Sequence, residues 1–531
     1  MIPKKLLLLS VLSGILLSIP WISGSNSWTL FFSFVPLLMV ENQIVAQKQS
    51  QGSIVLFLSA WVAFLVWNVL STWWIAYVSL GGMVLIALLN SFLMACVWWL
   101  MHGVRRKWSP LTGYFSLIVF WITFEYLHFH WAIQWPWLTL GNGFSNSVKL
   151  IQWYEYTGVL GGSLWVLLVN GLLFSIYKTF TQKAYHQSIQ LAGLILLLII
   201  LPVSWSVYRY LTYNESGKTV EVVLLQPNID PYSEKFSGVS QQEQTRRLIS
   251  LAQTMVNDST SYVLAPETAL APMWEGDSLR QNSDLVAIYS FIRNYPSLRF
   301  VAGAITQRKL EHGEPISYTS RQDADGKYFD VFNSAVLLDH SSRLHIGHKN
   351  ILVSGVEKMP FQKYFSFLGK YAISIGGISG SLSAGHDPFV LKAASGAKPG
   401  LAICFESAFG AYIGDVVKSG ANVIFIITND GWWKESPGLT QHFAFSRLRA
   451  VETRRSIARS ANTGISGFIN QRGDVLNKTE VNINTAIRSP VHLNQVFTFY
   501  VTYGDLLGRI SSLLSGLILI YFLMSFLRSR G

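Results

Sequence analysis

Apolar residues fall in long unbroken runs over the first part of this chain, in short runs over its middle, and in one long run at its end. The long runs lie near 5–24, 26–41, 54–78, 82–102, 112–131, 157–177 and 189–209, with the last at 506–527. About 20 apolar residues in a helix match the hydrocarbon thickness of a bilayer. The pattern therefore predicts a membrane α-helical bundle of about eight transmembrane helices, seven within residues 1–209 and one at 506–527. The second run is the weakest, because Pro36 interrupts it and Glu41 ends it early, and a short hairpin with the first run is expected there.

Between the seventh and eighth runs, residues 215–495 form one polar stretch with a different rhythm. "VEVVLLQPNI" (220–229), "SYVLAPET" (261–268), "RFVAGAIT" (299–306), "NSAVLLD" (333–339), "GLAICFES" (400–407) and "NVIFIITND" (422–430) are short apolar runs closed by polar or turn residues, which is a strand signature. "QQEQTRRLISLAQTMV" (241–256) and "QHFAFSRLRAVETRRSIARSA" (441–461) carry helical periodicity. Alternating strands and helices predict an α/β sandwich or barrel. Chemistry in such folds gathers at strand C-termini, and three of those ends carry reactive groups: Glu267, Cys404 and Asn429–Asp430.

Composition agrees with a membrane protein: half of the residues are hydrophobic and only 13% are charged. The net charge of +12 raises the question of nucleic acid, but no basic stripe with interleaved aromatics occurs and many basic residues flank the apolar runs, so no nucleic-acid partner is expected. Lys4, Lys5, Lys48, Arg105, Arg106, Lys107, Lys178, Lys183, Arg528 and Arg530 fall on one side if the spans number eight. By the positive-inside rule that side is cytoplasmic, which puts residues 215–495 on the opposite, extracytoplasmic side. The first run also reads as a signal peptide with small residues Ser23 and Ser25 at a possible cleavage site. Two cysteines provide no disulfide framework. Cys96 sits inside an apolar span as a packing residue, which leaves Cys404 as a lone thiol at a strand end.

A thiol becomes a nucleophile when a base or a positive neighbour activates it. Glu267 in "LAPETA", Lys349 in "HKNILVSGVEKMPF", Glu357 and Glu406 are the candidate neighbours; His345, His348 and His442 are available but sit at no clear strand end. Each has a plainer reading: Glu267 as a helix-capping carboxylate, Lys349 as a surface lysine, Cys404 as an inert buried thiol, and Glu406 as an ion-pair partner for an arginine of 441–461. No metal site or cofactor motif accompanies them.

Taken together, "APET", "HK" and "CFES", in that order at strand ends and followed by "ITNDGWW", resemble the carbon–nitrogen hydrolase, or nitrilase, superfamily. A domain of that kind between spans seven and eight, with "WPWLTLGN" (135–142) and "QHF…R…ANTG", resembles its membrane-anchored branch, the apolipoprotein N-acyltransferase family, over nearly the whole chain. The resemblance implies a nitrilase-like α-β-β-α sandwich in which Glu267 is the general base, Lys349 the oxyanion stabiliser and Cys404 the nucleophile, with Glu357, Glu406 and Asn333 in support. It implies ping-pong acyl transfer through a Cys thioester, from a phospholipid donor such as phosphatidylethanolamine to a diacylglyceryl apolipoprotein. It further implies a multi-pass protein of the bacterial inner membrane with its catalytic domain in the periplasm, no cofactor, and retention of the first span. The competing readings are a membrane-tethered amidase and a non-catalytic membrane binding protein. Met359, Phe361, Phe365, Trp432 and Trp433 lie in glycine- and proline-bearing loops and are expected to form a lid that contacts lipid. "LVSGVEKMPF" and "NDGWWKESPG" depart from the usual family forms "LVPFGEYVP" and "NDAWFG" and bear on loop geometry.

Overall fold

The computed structural model describes residues 2–47, 52–235, 238–276, 282–341, 344–359, 382–391 and 396–528. The chain divides into two compact units, residues 1–131, 135–213 and 503–531 in one, and residues 132–134 and 214–502 in the other.

Among the described residues, eight helices of the first unit are long and apolar enough to cross a membrane: Lys4–Ser23, Ser27–Ala46, Gly52–Tyr77, Leu80–Lys107, Pro110–His130, Val159–Thr181, Tyr185–Thr212 and Leu506–Ser525. The second does not stop at Glu41; after a 3-10 turn at Ser27–Phe32 its α-helix runs from Val35 to Gln47. Glu41 is tolerated there because it is fully buried against Arg105 and against His102 Nδ1, which lies 2.9 Å away. An intramembrane charge survives when it is paired in this way. Asn68, Asn90 and His128 form a second buried chain, with Asn90 Nδ2 donating to Asn68 Oδ1 at 2.8 Å and His128 Nε2 lying 3.0 Å from Asn90 Oδ1.

Among the described residues the second unit contains thirteen strands: β1 (Thr219–Gln226), β2 (Thr260–Leu264), β3 (Met273–Trp274), β4 (Arg299–Lys309), β5 (Arg321–Gln322), β6 (Tyr328–Leu338), β7 (His345–His348), β8 (Pro399–Ile403), β9 (Val423–Thr428), β10 (Ile457–Ala461), β11 (Gly467–Ile469), β12 (Val475–Lys478) and β13 (Thr485–His492). They make two sheets. The larger runs β13-β1-β2-β4-β6-β5, with β3 added to β4 and β7 to β6; the smaller runs β12-β11-β10-β9-β8. Its helices are α1 (Gln241–Met255), α2 (Ser283–Ile292), α3 (Gly410–Lys418) and α4 (Pro437–Thr453).

Three cores explain why these strands are apolar throughout rather than alternating. Val222, Leu224 and Leu264 of the larger sheet pack against Leu401, Phe425 and Ile427 of the smaller one. The opposite faces carry Val223 and Leu225 against Leu248 of α1 and Ile288 of α2, and Ile424 and Ile426 against Val416 of α3 and Ala450 of α4. Strands buried on both faces need apolar residues at consecutive positions. The result is the α-β-β-α sandwich, attached to an eight-helix membrane bundle.

One element differs from expectation. The helix expected over 441–461 is α4 up to Thr453, followed by strand β10. Arg454 breaks the helix in the left-handed region, with φ 50°, and Ile457–Ala461 then pairs in parallel with β9, fully buried.

Candidate active site

Cys404 follows β8 directly and opens a 3-10 turn, Cys404–Ala408. Its φ of 51° is left-handed, a conformation costing about 1–3 kcal/mol for a residue with a Cβ. Side chains of the turn itself hold it. Glu406 Oε2 accepts from the Ile403 N–H at 2.7 Å, and Ser407 Oγ donates to the Cys404 carbonyl at 2.7 Å. The other oxygen of Glu406 accepts from the N–H groups of Asn350 (2.6 Å) and Ile351 (3.2 Å). One buried carboxylate thus ties the strand end bearing Cys404 to the loop just after Lys349. Glu406 engages backbone N–H groups, not an arginine of α4. Burial pushes its carboxyl up to about 7, against the pull of those N–H groups and of Lys349.

Four sequence-predicted residues meet in one cluster. Glu267 follows β2, Asn333 lies on β6, Lys349 follows β7, and Glu357 comes eight residues later. Because β7 and β4 both run antiparallel to β6, and β2 runs parallel to β4, Glu267 and Lys349 emerge from strands of the same direction. Asn333 Nδ2 donates to Glu267 Oε1 at 2.7 Å and to Glu357 Oε1 at 2.8 Å. Lys349 Nζ reaches the same two oxygens at 3.3 and 2.8 Å. Both carboxylates are therefore held by the same amide and the same ammonium. The Asn429 N–H donates to Glu267 Oε2 at 3.0 Å, and the Val353 N–H to Glu357 Oε2 at 2.8 Å.

The charges decide the resting state. Burial alone would lower the Lys349 ammonium, but Glu357, Glu267 and Cys404 outweigh it and hold the group above the ordinary lysine range. Burial and the neighbouring Glu267 raise the Cys404 thiol well above its ordinary value, against the pull of Lys349. Two carboxylates on one ammonium leave the cluster one negative charge in excess, so a thiolate is disfavoured until its proton can pass to a carboxylate. This is the electrostatics of a neutral thiol beside a carboxylate base, not of a thiolate–imidazolium pair.

The expected lid residues divide. Trp432 and Trp433 are half-buried in a 3-10 turn, Asp430–Trp433. Tyr232 packs edge-on against Trp432 and donates its hydroxyl to the Trp432 carbonyl at 2.8 Å, while Trp433 lies edge-on to His442. Met359 is half-buried as well. Phe361 and Phe365 lie outside the described residues.

Sequence reasoning missed two buried groups here. Lys235 Nζ donates to the Glu267 carbonyl (3.2 Å) and to Thr268 Oγ1 (2.6 Å), under the left-handed Thr268, and burial lowers it to about 8. His442, on α4, has Nδ1 at 2.9 Å from Asp430 Oδ1 and Nε2 at 3.2 Å from the Cys404 carbonyl oxygen. Lys235 lies in a polar stretch with no apolar period, which gave no signal for the first. The histidine, available in the sequence but at no clear strand end, gave no signal of its own either. Among the described residues no group of histidine, cysteine and carboxylate side chains has a geometry that would hold a metal ion.

Two family models match the chain: the apolipoprotein N-acyltransferase N-terminal domain over residues 13–172 and carbon–nitrogen hydrolase over residues 224–490. Full-length similarity extends to bacterial proteins described as apolipoprotein N-acyltransferase. The one from Chlorobaculum tepidum is 27% identical over 527 residues, 97% of this chain and 96% of its own length. That from Geobacter metallireducens is 27% identical over 518 residues, 95% and 92% of the two chains. That from Thermotoga maritima is 27% identical over 539 residues, 96% and 92% of the two chains.

Proposed function

This chain belongs to the carbon–nitrogen hydrolase family, and from that membership and the geometry of its site we propose that it N-acylates the N-terminal diacylglyceryl-cysteine of apolipoproteins, the last step of lipoprotein maturation. The observation that carries the reading is the cluster in which Lys349 and Asn333 bind Glu267 and Glu357 together, with Cys404 at the end of β8, next to β9, whose following residue Asn429 donates to Glu267.

In the first half-reaction Glu267 accepts the Cys404 thiol proton as sulfur attacks the ester carbonyl of a phospholipid, phosphatidylethanolamine being the proposed donor. Attack and proton transfer proceed together because the free thiolate is disfavoured in this cluster. Lys349 spends two of its three N–H groups on carboxylates, leaving the third for the oxyanion, alongside the Phe405 N–H. One preorganised donor of this kind is worth about 3–4 kcal/mol. The tetrahedral intermediate collapses, the C–O bond breaks, and the lysophospholipid oxygen takes the proton back from Glu267. In the second half-reaction the free amine of the apolipoprotein attacks the thioester, Glu267 accepts the amine proton, the C–S bond breaks, and the proton returns to sulfur. Glu357 keeps Lys349 charged and in place throughout. Both substrates are lipids, which suits a catalytic domain flanked in sequence by membrane spans. The domain acts on the periplasmic side of the inner membrane.

The test is an acyl-enzyme. The purified full-length protein, incubated with phosphatidylethanolamine vesicles, is expected to gain one hydroxylamine-labile fatty acyl group at Cys404, detected by intact mass and peptide mapping, and to pass it to a diacylglyceryl-peptide amine. Cys404→Ala is expected to abolish both steps, and Cys404→Ser to retain little, because a hydroxyl is far harder to deprotonate than a thiol. Transfer at a near-normal rate by Cys404→Ala would eliminate the covalent route. Release of free fatty acid in place of amide would point to the amidase-like reading.

A further inference from the structure

The chemistry above leaves unexplained a buried ionic group beneath the nucleophile. Arg459 Nη2 donates to Asp430 Oδ2 at 2.5 Å, and Thr428 Oγ1 donates to Asp430 Oδ1 at 2.7 Å. His442 Nδ1 lies 2.9 Å from the same Oδ1. On the far side of the ring, His442 Nε2 stands 3.2 Å from the Cys404 carbonyl oxygen and 3.0 Å from Ser407 Oγ. Arg459, Asp430 and His442 are all at most 0% exposed. Burying an arginine, an aspartate and a histidine is expensive unless they bond one another, and of the three it is His442 that reaches the Cys404 carbonyl.

The hydrogen positions follow from the partners. A carbonyl oxygen only accepts, so the ring bonds the Cys404 carbonyl in the forms that carry a hydrogen on Nε2. Arg459 Nη2 is 3.1 Å from Nδ1 and can supply the donor that a neutral ring needs on that side; an imidazolium would donate to Asp430 instead. Nε2 carries a hydrogen in both of these forms; in the third, with the hydrogen on Nδ1 alone, Nδ1 donates to Asp430 Oδ1 and Nε2 accepts from Ser407 Oγ. In the first two, Ser407 Oγ donates to the same Cys404 carbonyl, so that oxygen receives two hydrogen bonds.

That carbonyl belongs to the peptide whose N–H is the Phe405 N–H. Hydrogen bonds to a carbonyl polarise the whole amide and strengthen its N–H as a donor. They also hold the left-handed turn at Cys404, which is otherwise strained. Resting on the acyl-transfer reading, we propose that His442 is a positioning residue for that reaction: through Nε2 it grips the Cys404 carbonyl, fixed from behind by Asp430 and Arg459, so that the Cys404–Phe405 peptide presents a strengthened N–H to the oxyanion. His442 does not take the thiol proton.

The experiment uses the full-length protein in phosphatidylethanolamine vesicles and measures the single-turnover rate of thioester formation, the half-saturating phospholipid concentration and the thermal midpoint. His442→Phe is expected to slow acylation about tenfold, a fraction of the roughly 10²–10³-fold loss from deleting an oxyanion donor outright, with half-saturation little changed. His442→Gln, whose amide can again donate, is expected to recover most of the rate. A merely structural histidine would lower the thermal midpoint without this split between rate and half-saturation, and without rescue by glutamine. Acylation by folded His442→Phe at the wild-type rate overturns the proposal. Should His442→Phe not fold, the unsubstituted ring is tested directly. Carbonyl-13C cysteine labels only Cys96 and Cys404, so in Cys96→Ala protein a dipolar coupling between that carbon and ring-15N histidine is expected, and its absence overturns the contact and the proposal together. Absence of thioester in the wild type is a different failure, that of the acyl-transfer reading itself, and the positioning role falls with it.

Discussion

Glu267 and Glu357 are bound by the same amide and the same ammonium, through the same kind of oxygen, yet neutralising them should have different consequences. Their second oxygens differ. Glu267 Oε2 faces the end of β9 through the Asn429 N–H, on the side of the Cys404 turn, whereas Glu357 Oε2 is turned back into its own loop at Val353. Glu267→Gln removes the proton acceptor and should suppress thioester formation by about 10²–10⁴, the usual contribution of a general base. Glu357→Gln removes one of the two charges that keep Lys349 protonated and exchanges a charge-assisted hydrogen bond for a neutral one, a loss of about 1–1.5 kcal/mol, or about 5–10-fold in rate. Hydroxylamine-labile acyl-enzyme, followed over time for both variants, separates them; normal acylation by Glu267→Gln would move the base elsewhere. At this scale the triad was legible because polar residues closing apolar strands stand out, and a family resemblance supplied their roles. His442 was not legible. Asp430 and Cys404, two of its partners, are 12 and 38 residues away in sequence, and nothing in a helix of mixed composition marks a side chain that meets a strand end in space.

At the scale of elements, the sandwich strands were readable because burial on both faces makes them short, continuous apolar runs, and the membrane helices because they are long ones. The boundary between α4 and β10 was not, since "RRSIARSA" has too few apolar residues to show a period and the left-handed Arg454 carries no signal in a residue type that favours helix. The strand exists because β9 offers it a parallel partner. The turn Asp430–Trp433 shows the same dependence on context. Its tryptophans are half-buried, Trp432 against Tyr232 and Trp433 against His442, so they serve the domain's own packing in part. We expect the exposed remainder of Trp432, with Met359, to guide acyl chains toward Cys404. Replacing Trp432 and Met359 by serine should then cut turnover on phosphatidylethanolamine vesicles about tenfold, as befits losing roughly 1.5–3 kcal/mol of apolar contact per side chain shared between two states, while a short-chain soluble ester should lose far less. Equal losses on both substrates, or a collapse of the thermal midpoint, would make these residues core and not lid.

For the whole molecule, the decisive question is which side of the membrane holds the catalytic unit, and the answer rests on charge. Eight spans place the chain's two ends on one side and residues 214–502 on the other. The basic residues at Lys4 and Lys5, at Arg106 and Lys107, and at Lys178 and Lys183 all belong to the side of the ends. Arg105 is withdrawn from this count, because it is buried against Glu41 within the bundle. What remains is still a one-sided bias, and positive charge near span ends stays in the cytoplasm. We therefore expect the catalytic unit to face the periplasm, where a diacylglyceryl-cysteine amine would become available after export. In a Cys96→Ala, Cys404→Ser background, a single cysteine introduced as Asp325→Cys, in an exposed turn between β5 and β6, should react with a membrane-impermeant maleimide in intact cells whose outer membrane has been made permeable. Lys183→Cys, in the exposed turn between the helices Val159–Thr181 and Tyr185–Thr212, should react only after the inner membrane is disrupted. The reverse pattern would place the site in the cytoplasm, away from any exported substrate. Labelling of both cysteines in intact cells would mean an even number of crossings between them, so that Tyr185–Thr212, the one candidate span separating them, would not pass through the membrane.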